Sequence, residues 1–368
     1  MEIVQVAGLY PPHLGGEELV VQRLAGIQAA THRVTVYTSD IGVGAAAGRQ
    51  RCGRLQVVRD RGWPVGNTPV VPSLLVRLLR HRPTPHVVHV HTGLALTPEI
   101  VRVAAVLRRV PYVAHIHLLV RPSSRAGRAL LPAYQRLLFG SFLRHAARVI
   151  CLTGAMRDAV VVAFGVPPER VAVVPNGVDA GLFRPAETVR RAARELLFVG
   201  RLTAQKNVRL VVEAMAALPR DVTLRLVGEG ELQADLDRRI AALGLTNVRL
   251  EGRLAPADVV AAYQRATAVL LPSSHEGLPL VLLEAMAAGA PVICSALPEL
   301  VEIGGDAVLA VRPVTPASLA AAARALLDDP ARRERLSQAA RRRAAGYDWP
   351  AVAAAVEAVY QQVRSEWA

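Results

Sequence analysis

Two cations follow an apolar run in the segment GRLTAQKN, residues 200–207. Lys206 is the only lysine of the chain, whereas arginine occurs 43 times. Arginine offers a planar guanidinium, and lysine offers a compact charge that can approach a phosphate from several directions. In open α/β sheets, ligands bind beyond the carboxyl ends of the strands. Arg201 and Lys206 therefore predict a diphosphate site, the alternative being chance placement of one lysine.

Two glutamates lie eight residues apart in EGLPLVLLEAMAAGAPV, residues 276–292. A helical rise of 1.5 Å per residue separates Glu276 from Glu284 by roughly 12 Å or less. That span suits one carboxylate near a sugar and another near a ribose across a diphosphate. Glu284 lies between Leu283 and Ala285, so its carboxylate must accept hydrogen bonds if it is buried.

A pair of glycines, Gly15 and Gly16, opens a helical pattern after the first apolar run. Glycine permits close approach of a ligand, and the free N–H groups of a helix N-terminus favour anions. The pattern is not GxGxxG, so a dinucleotide fingerprint is missing. A simple glycine turn is the alternative reading.

The elements that must position these residues alternate in the order strand, helix, strand. HVVHVH (86–91) and YVAHIH (112–117) are predicted strands of the first half, and LLFVGRL (196–202) restarts the pattern. Continuous apolar strands with intervening helices indicate parallel sheets covered on both faces. A chain of 368 residues favours two domains. We expect two doubly wound α/β domains joined by an irregular linker at 178–188.

The sequence resembles the retaining glycosyltransferases of family 4, and the resemblance spans essentially the whole chain. It rests on these segments: the Gly15–Gly16 loop, VHVH, AHIH, PNGVD (175–179), GRLTAQKN, the paired glutamates, GAPVICS, LPELVE and YDW. The resemblance implies the α/β GT-B fold, in which two Rossmann-like domains face a cleft and a C-terminal helix returns to the N-domain. The expected domains are 1–180 for the acceptor, 190–345 for the nucleotide sugar, and 346–368 for the crossover helix.

The resemblance also implies roles for the donor-site residues. Arg201 and Lys206 would hold the donor diphosphate, Glu284 the ribose hydroxyls, and Glu276 the hydroxyls of the donor sugar. Backbone groups that touch phosphate or sugar would come from the turn before the glutamate helix, at Gly277, Leu278 and Leu280.

Two residues of the N-domain complete the implied site. Gly16 would lie near the diphosphate, and His117 would be the active-site histidine, with His115 as the alternative. The family often has aspartate after that histidine, where this chain has Leu118. No acceptor contact is therefore assigned to position 118.

The implied reaction moves a hexosyl unit from a UDP- or GDP-sugar to a hydroxyl of a glycan or a lipid-linked acceptor, with retention. The leaving diphosphate itself would take the acceptor proton, and the protein would orient the substrates and stabilise charge. We expect no metal and no cofactor besides the donor substrate. The alternatives are a sugar-nucleotide epimerase or phosphorylase of the same fold, and a degenerate transferase that acts as a scaffold.

Positive charge is concentrated in the first half of the chain. Residues 1–186 hold 22 arginines against nine acidic residues, which accounts for nearly all of the net charge of +14. Basic, apolar segments occur at 73–82 and 121–148. Such segments are typical of helices that lie on an anionic membrane, although a solvated basic surface is the alternative. No nucleic-acid-binding motif is present, so nucleic acid is not expected as a partner.

The expected location is the cytoplasm, with peripheral binding at the inner face of the membrane. No apolar run reaches the length of about 18 residues needed for a membrane span. The first residues, MEIVQVAGLYPP, lack the features of a signal peptide. The three cysteines are far apart, as expected for free thiols in a reducing compartment.

Overall fold

The protein forms two compact units, Met1–Asn176 with Trp349–Ala368, and Gly177–Asp348. The sequence predicts domain boundaries at 180 and at 345–346. In the structure the chain passes from one unit to the other at 176–177 and at 348–349, within a few residues of those positions. The computed structural model describes residues 1–13, 15–44, 48–65, 68–92, 96–119, 125–185 and 194–367.

The first unit is built on an eight-stranded sheet with the order β10-β9-β8-β7-β1-β2-β4-β3, and β5 and β6 form a separate antiparallel pair. The strands of this unit are β1 Glu2–Val6, β2 Arg33–Ser39, β3 Gly48–Cys52, β4 Leu55–Asp60, β5 Trp63–Val65, β6 Thr68–Val70, β7 Val87–Thr92, β8 Tyr112–Ile116, β9 Arg148–Cys151 and β10 Val171–Val173. All neighbours in the large sheet are parallel except β3 and β4. The sequence patterns did not predict β3, β5 and β6, because the edge strand β3 is polar and exposed and β5 and β6 contain proline. They also missed β4, although its central residues are buried.

In the described residues of the first unit, six helices connect these strands. They are α1 Gly16–Gln28, α2 Leu74–Arg80, α3 Thr97–Arg108, α4 Arg125–Tyr134, α5 Gly140–His145 and α6 Gly154–Phe164. A π-helical turn, Gln135–Phe139, joins α4 to α5. The basic segment predicted at 121–148 thus becomes two helices and a turn, while residues 121–124 lie outside the described residues.

The second unit has a six-stranded parallel sheet with the order β13-β12-β11-β14-β15-β16. Its strands are β11 Glu195–Val199, β12 Thr223–Val227, β13 Val248–Gly252, β14 Ala268–Leu271, β15 Val292–Ser295 and β16 Val308–Val311. Its helices are α7 Val208–Met215, α8 Gln233–Ala242, α9 Pro256–Arg265, α10 Leu280–Ala287, α11 Pro298–Gly304, α12 Pro316–Leu327 and α13 Pro330–Ala344. The strand order reverses where β11 pairs with β14, which is the place where open α/β sheets bind ligands.

The last helix, α14 (Trp349–Trp367), belongs to the first unit, where it packs against α1. Its buried residues recur at helical spacing and include Val352, Val356 and Tyr360. The Tyr360 hydroxyl lies among polar side chains of the first unit, 2.5 Å from His89 Nδ1 and 3.3 Å from Gln28 Nε2. This helix therefore completes the core under β7.

The segment predicted as a linker begins as an ordered part of the second unit. The Val178 N–H donates to the Tyr347 carbonyl at 2.7 Å, and the Phe183 ring meets Tyr263 edge-on at 5.9 Å. Residues 186–188 of the predicted linker lie outside the described residues.

Candidate active site

The loops that follow β11 and β14 are bonded to each other at the switch point of the second unit. The Ser274 N–H donates to the Gln205 carbonyl at 2.9 Å, and Gln205 Nε2 donates to the His275 carbonyl at 3.0 Å. Asn207 Nδ2 donates to the Pro272 carbonyl at 2.8 Å, from a left-handed backbone position that asparagine tolerates. The segment GRLTAQKN and the segment that precedes Glu276 are thus held together by hydrogen bonds.

Lys206 and Glu276 form a close ion pair inside this joined loop. The Nζ to Oε1 distance is 2.5 Å, and the two side chains are only 13% and 8% exposed. A buried charge is costly unless it is paired, so each group holds the other in place. The ammonium can meet a phosphate while the carboxylate accepts hydrogen bonds from sugar hydroxyls. Arg201, at the start of the same loop, is exposed.

Two glycines in the loop after β12 lie against the backbone of the loop that carries Arg201 and Lys206. A Cβ atom at Gly228 would lie 2.0 Å from the Gly200 carbonyl oxygen, and one at Gly230 would lie 2.4 Å from that of Leu202. The Leu202 N–H donates to the Glu229 carbonyl at 2.9 Å. Only glycine allows the two backbones to come this close, which fixes the start of the loop that carries Arg201.

Glu284 lies on α10 and receives a hydrogen bond from a buried tyrosine. The Tyr263 hydroxyl donates to Glu284 Oε2 at 2.9 Å. Burial raises the pKa of Glu284 to about 7, and the bond from Tyr263 opposes that rise. The carboxyl therefore changes its protonation state near neutral pH. As a carboxylate it can accept further hydrogen bonds, as ribose hydroxyls would provide.

The turn before α10 carries Gly277 and Leu278, and the helix begins at Leu280. The first N–H groups of a helix have no acceptor one turn earlier in the helix, which favours a ligand contact at this end. The Leu282 N–H already donates to the Pro279 carbonyl at 3.1 Å. Gly277 and Leu278 are themselves buried. This arrangement agrees with a contact through backbone groups, since the Leu278 side chain is buried and Gly277 has none.

In the first unit, α1 begins at Gly16. A Cβ atom added there would meet nothing within 4 Å, so packing does not explain that glycine. At Gly15 a Cβ would lie 2.2 Å from Glu18 Oε2, so the missing side chain leaves room for that carboxylate. Burial, together with the charge of Glu18, raises the pKa of Glu17 to about 8. The raised pKa lowers the negative charge that Glu17 would present to an anion.

The two candidate histidines of β8 differ in exposure. His115 is buried in the sheet, whereas His117, just after the strand, is partly exposed. His117 Nε2 lies 2.9 Å from His91 Nδ1, and its ring stacks on His115 with centroids 4.3 Å apart. Of the two, His117 is the one a substrate can reach.

Comparison with known proteins supplies the family. Residues 14–182 match the model of Glycosyltransferase Family 4, and residues 182–343 match that of Glycosyl transferases group 1. A glycogen synthase of Mycobacterium tuberculosis is 36% identical over 295 residues, which cover 75% of this chain and 68% of the relative. The chain belongs to the family 4 glycosyltransferases. It is an enzyme that transfers a sugar from a nucleotide-sugar donor.

Other relatives of this glycosyltransferase carry different names. D-inositol 3-phosphate glycosyltransferase 1 of Catenulispora acidiphila is 34% identical over 302 residues, 75% of this chain and 72% of the relative. Among solved structures, Anabaena HepE in complex with UDP has a TM-score of 0.81 at 20% identity, covering 98% of this chain and 100% of that one. That likeness confirms the predicted GT-B fold.

The geometry of the glycosyltransferase brings together four residues predicted from sequence in the second unit: Lys206, Glu276, Gly277 and Leu278. Arg201 lies at the start of the loop that carries Lys206, and Glu284 lies on α10, the helix that follows Gly277 and Leu278. Sequence reasoning missed Tyr263, because a tyrosine within the helical pattern PADVVAAYQRA is typical of core packing. It also missed the bond from His91 to His117, although the quoted VHVH and AHIH strands contain both.

The first unit of the glycosyltransferase contains one group that could hold a metal ion among the described residues. Nitrogens of His89, His91 and His115 all lie within 4.8 Å of one another. The cluster consists of histidines alone, so no carboxylate in it would offset the charge of a metal ion. His89 is also engaged on both ring nitrogens, with Tyr360 and His115.

No helix in the described part of this glycosyltransferase is both long and apolar enough to cross a membrane.

Proposed function

We propose that this glycosyltransferase moves a hexosyl unit, with retention, from a UDP- or GDP-sugar to a hydroxyl of a glycan or a lipid-linked acceptor. Lys206 and Arg201 hold the donor diphosphate, and Glu276 binds the donor sugar. Glu284 accepts hydrogen bonds from the ribose, and Gly16 and the turn at 277–280 approach the phosphates. His117 contacts the reacting substrates from the first unit.

The ion pair of Lys206 and Glu276 is the observation that carries this proposal. It places a cation and a carboxylate 2.5 Å apart in the loops that follow the paired strands β11 and β14, at the point where the strand order reverses and ligands usually bind in such sheets. A nucleotide sugar presents anionic phosphates next to neutral hydroxyls, which is the complementary pattern. Retention follows if the acceptor hydroxyl attacks the anomeric carbon from the face that the diphosphate leaves. The departing diphosphate then takes the hydroxyl proton, and no protein nucleophile is required.

A thermal-shift panel of UDP, GDP, ADP, CDP and NAD tests the donor class. We expect UDP or GDP to raise the melting temperature by several degrees, since a ligand at 100 times its Kd adds about 2.7 kcal/mol. The Lys206→Ala variant should lose this shift. A shift with NAD alone, or with no diphosphate at all, would contradict the proposed donor.

The lipid-linked acceptor is proposed from the surface of the first unit. Helices α2 and α3 pack together, and α3 also contacts the π-helical turn. On these elements the exposed fractions of the residues are 67% for Val106, 65% for Leu107 and 68% for Leu137. Exposed arginines lie on or beside the same elements, at Arg80, Arg109, Arg136 and Arg144. Apolar side chains interspersed with arginine fit an anionic membrane surface.

Flotation with vesicles tests this surface. We expect the protein to float with vesicles that contain anionic phospholipid and to dissociate as salt is raised, because the attraction is screened. Leu137→Asp should weaken flotation, whereas Val301→Asp, at an exposed valine of the second unit, should not. Equal flotation of both variants, or flotation insensitive to salt, would contradict the proposed surface and favour a soluble acceptor.

Metal independence is proposed because Lys206 and Arg201 can supply the positive charge that a divalent ion provides elsewhere. We expect activity in excess EDTA to stay within about twofold of the untreated enzyme, as a cationic side chain can stabilise the leaving diphosphate without a metal. The measurement is initial rate before and after chelation, with added Mg²⁺ as the control. Loss of activity in EDTA that Mg²⁺ restores would contradict this proposal.

A further inference from the structure

Four imidazoles share one face of the first unit's sheet. His89 and His91 are two residues apart on β7, and His115 and His117 are two apart at the end of β8. Alternate residues of a strand point to the same face, and the register pairs His91 with His115. The rings stack on one another, with His89 and His91 centroids 4.3 Å apart.

Three of these rings, His89, His91 and His115, are buried, and among the described residues the hydrogen bonds of all four imidazoles are to one another and to the Tyr360 hydroxyl. An imidazole that accepts a hydrogen bond from another must keep one nitrogen unprotonated. A neutral imidazole carries one N–H donor and one lone pair. In each hydrogen bond between two neutral rings, the nitrogen of one ring is protonated and that of the other is not, which fixes the tautomer of both rings.

For the pair of His91 and His117, the surroundings indicate which nitrogen carries the proton. His91 Nδ1 lies 2.9 Å from His117 Nε2, so one proton lies between them. The other nitrogen of His91, Nε2, is buried without a partner among the described residues. A buried N–H without an acceptor is rarer than a buried acceptor without a donor. The His91 proton therefore belongs on Nδ1, from which it donates to His117.

We propose that His91 is a positioning residue that fixes His117 in the Nδ1–H tautomer, so that His117 meets the substrate as a hydrogen-bond donor. His117 is partly exposed, and no described residue bonds its Nδ1. That N–H can donate to a hydroxyl or to an oxygen that gains negative charge. It cannot take a proton from the acceptor. The inference rests on the proposed function only in assigning His117 to the transfer site.

His115 provides a matched control for His91. It is the same residue type on the same sheet face, and its ring stacks on His117. Its Nδ1, however, lies 3.2 Å from His89 Nε2, and it makes no hydrogen bond to His117. A replacement of His115 by phenylalanine therefore removes an equivalent buried imidazole without removing the donor to His117.

The tautomer is measured on the full chain labelled with ¹⁵N-histidine, by two-bond ¹H–¹⁵N correlation at pH 7.5. The His117 signals are assigned as those lost in His117→Gln. We expect a protonated Nδ1 and an unprotonated Nε2 in the wild type. A protonated Nε2 on His117 would overturn the proposal. This readout needs no substrate, so it remains valid if no nucleotide sugar is turned over, which would refute the proposed function instead.

Kinetics then test the positioning role. His91→Phe keeps a ring but removes the donor, and we expect kcat to fall roughly tenfold with the donor KM unchanged, as for loss of one hydrogen bond. His91→Asn keeps an N–H near Nδ1 and should restore most of kcat. His115→Phe should change kcat less than His91→Phe. Equal losses in His91→Phe, His91→Asn and His115→Phe would overturn the proposal, because a purely structural role predicts that result.

Discussion

Replacing Lys206 by alanine should lower kcat/KM by on the order of 10²-fold, as does removal of one donor to a transition-state charge. The ammonium is held by Glu276 at 2.5 Å, so it is already in place when a diphosphate arrives. Negative charge on the diphosphate grows as the sugar departs, and the interaction strengthens in the transition state. Initial rates across donor concentrations, at saturating acceptor, measure the effect.

Two further variants separate this effect from instability. Lys206→Ala leaves the Glu276 carboxylate buried and unpaired, so the double variant Lys206→Ala/Glu276→Gln shows whether any melting-temperature loss arises from that charge. Arg209→Ala is the matched control, because Arg209 lies one turn away in a solvent-exposed pair with Asp235. Activity of Lys206→Ala within a few-fold of wild type would rule out its role on the diphosphate.

Donor binding should weaken as the pH falls below 7. Burial raises the pKa of Glu284 to about 7 in the free enzyme. In the proposed function, ribose hydroxyls bind the carboxylate form of this side chain. Each pH unit below that value then costs about tenfold in affinity, since one bound proton must be lost on binding. Between pH 8 and pH 5 the Kd should rise by about 100-fold. Calorimetry with a nucleotide sugar measures this, because a free diphosphate has a terminal phosphate that itself titrates near pH 6.

Variants of Glu284 and of its hydrogen-bond donor Tyr263 test whether Glu284 causes the pH dependence. Glu284→Gln should bind more weakly at pH 8 and lose the dependence on pH. Tyr263→Phe removes the bond that lowers the pKa of Glu284, so its curve should move to higher pH. A pH dependence that persists in Glu284→Gln would assign it to another group.

The same pKa makes a prediction about stability, with a definite sign. The folded protein binds the Glu284 proton more tightly than the unfolded chain, whose glutamates titrate near 4.5. The free energy of unfolding therefore falls as the pH rises from about 4.5 to 7. Glu284→Gln should accordingly raise the melting temperature of the free enzyme at pH 8, even though it weakens donor binding.

Much of the fold could be predicted because the local sequence pattern agrees with the secondary structure in most of the chain. Apolar runs mark the buried parallel strands, so β7, β8 and β11 are visible in the sequence. β3 could not be found in this way, because all five of its residues are exposed and it carries no apolar signal. The two-domain organisation and the family follow from motifs that span the whole chain.

The site could be predicted only at the level of residue types. A lysine where the chain otherwise uses arginine, and two spaced glutamates, indicate a polar site on strand ends. The pairing of Lys206 with Glu276 depends on β11 and β14 being neighbours, which no local pattern encodes. The same holds for Tyr263 and Glu284, which come from different helices, α9 and α10.

The return of α14 to the first unit has a consequence for how the chain is made. Residues 177–348 form a continuous unit, so all of its elements have been synthesised before α14 is. The first unit is completed later, because Tyr360 and its neighbours on α14 belong to its core. The half that begins synthesis first therefore finishes folding last. A premature stop codon just before residue 349 would damage the first unit and spare the donor site.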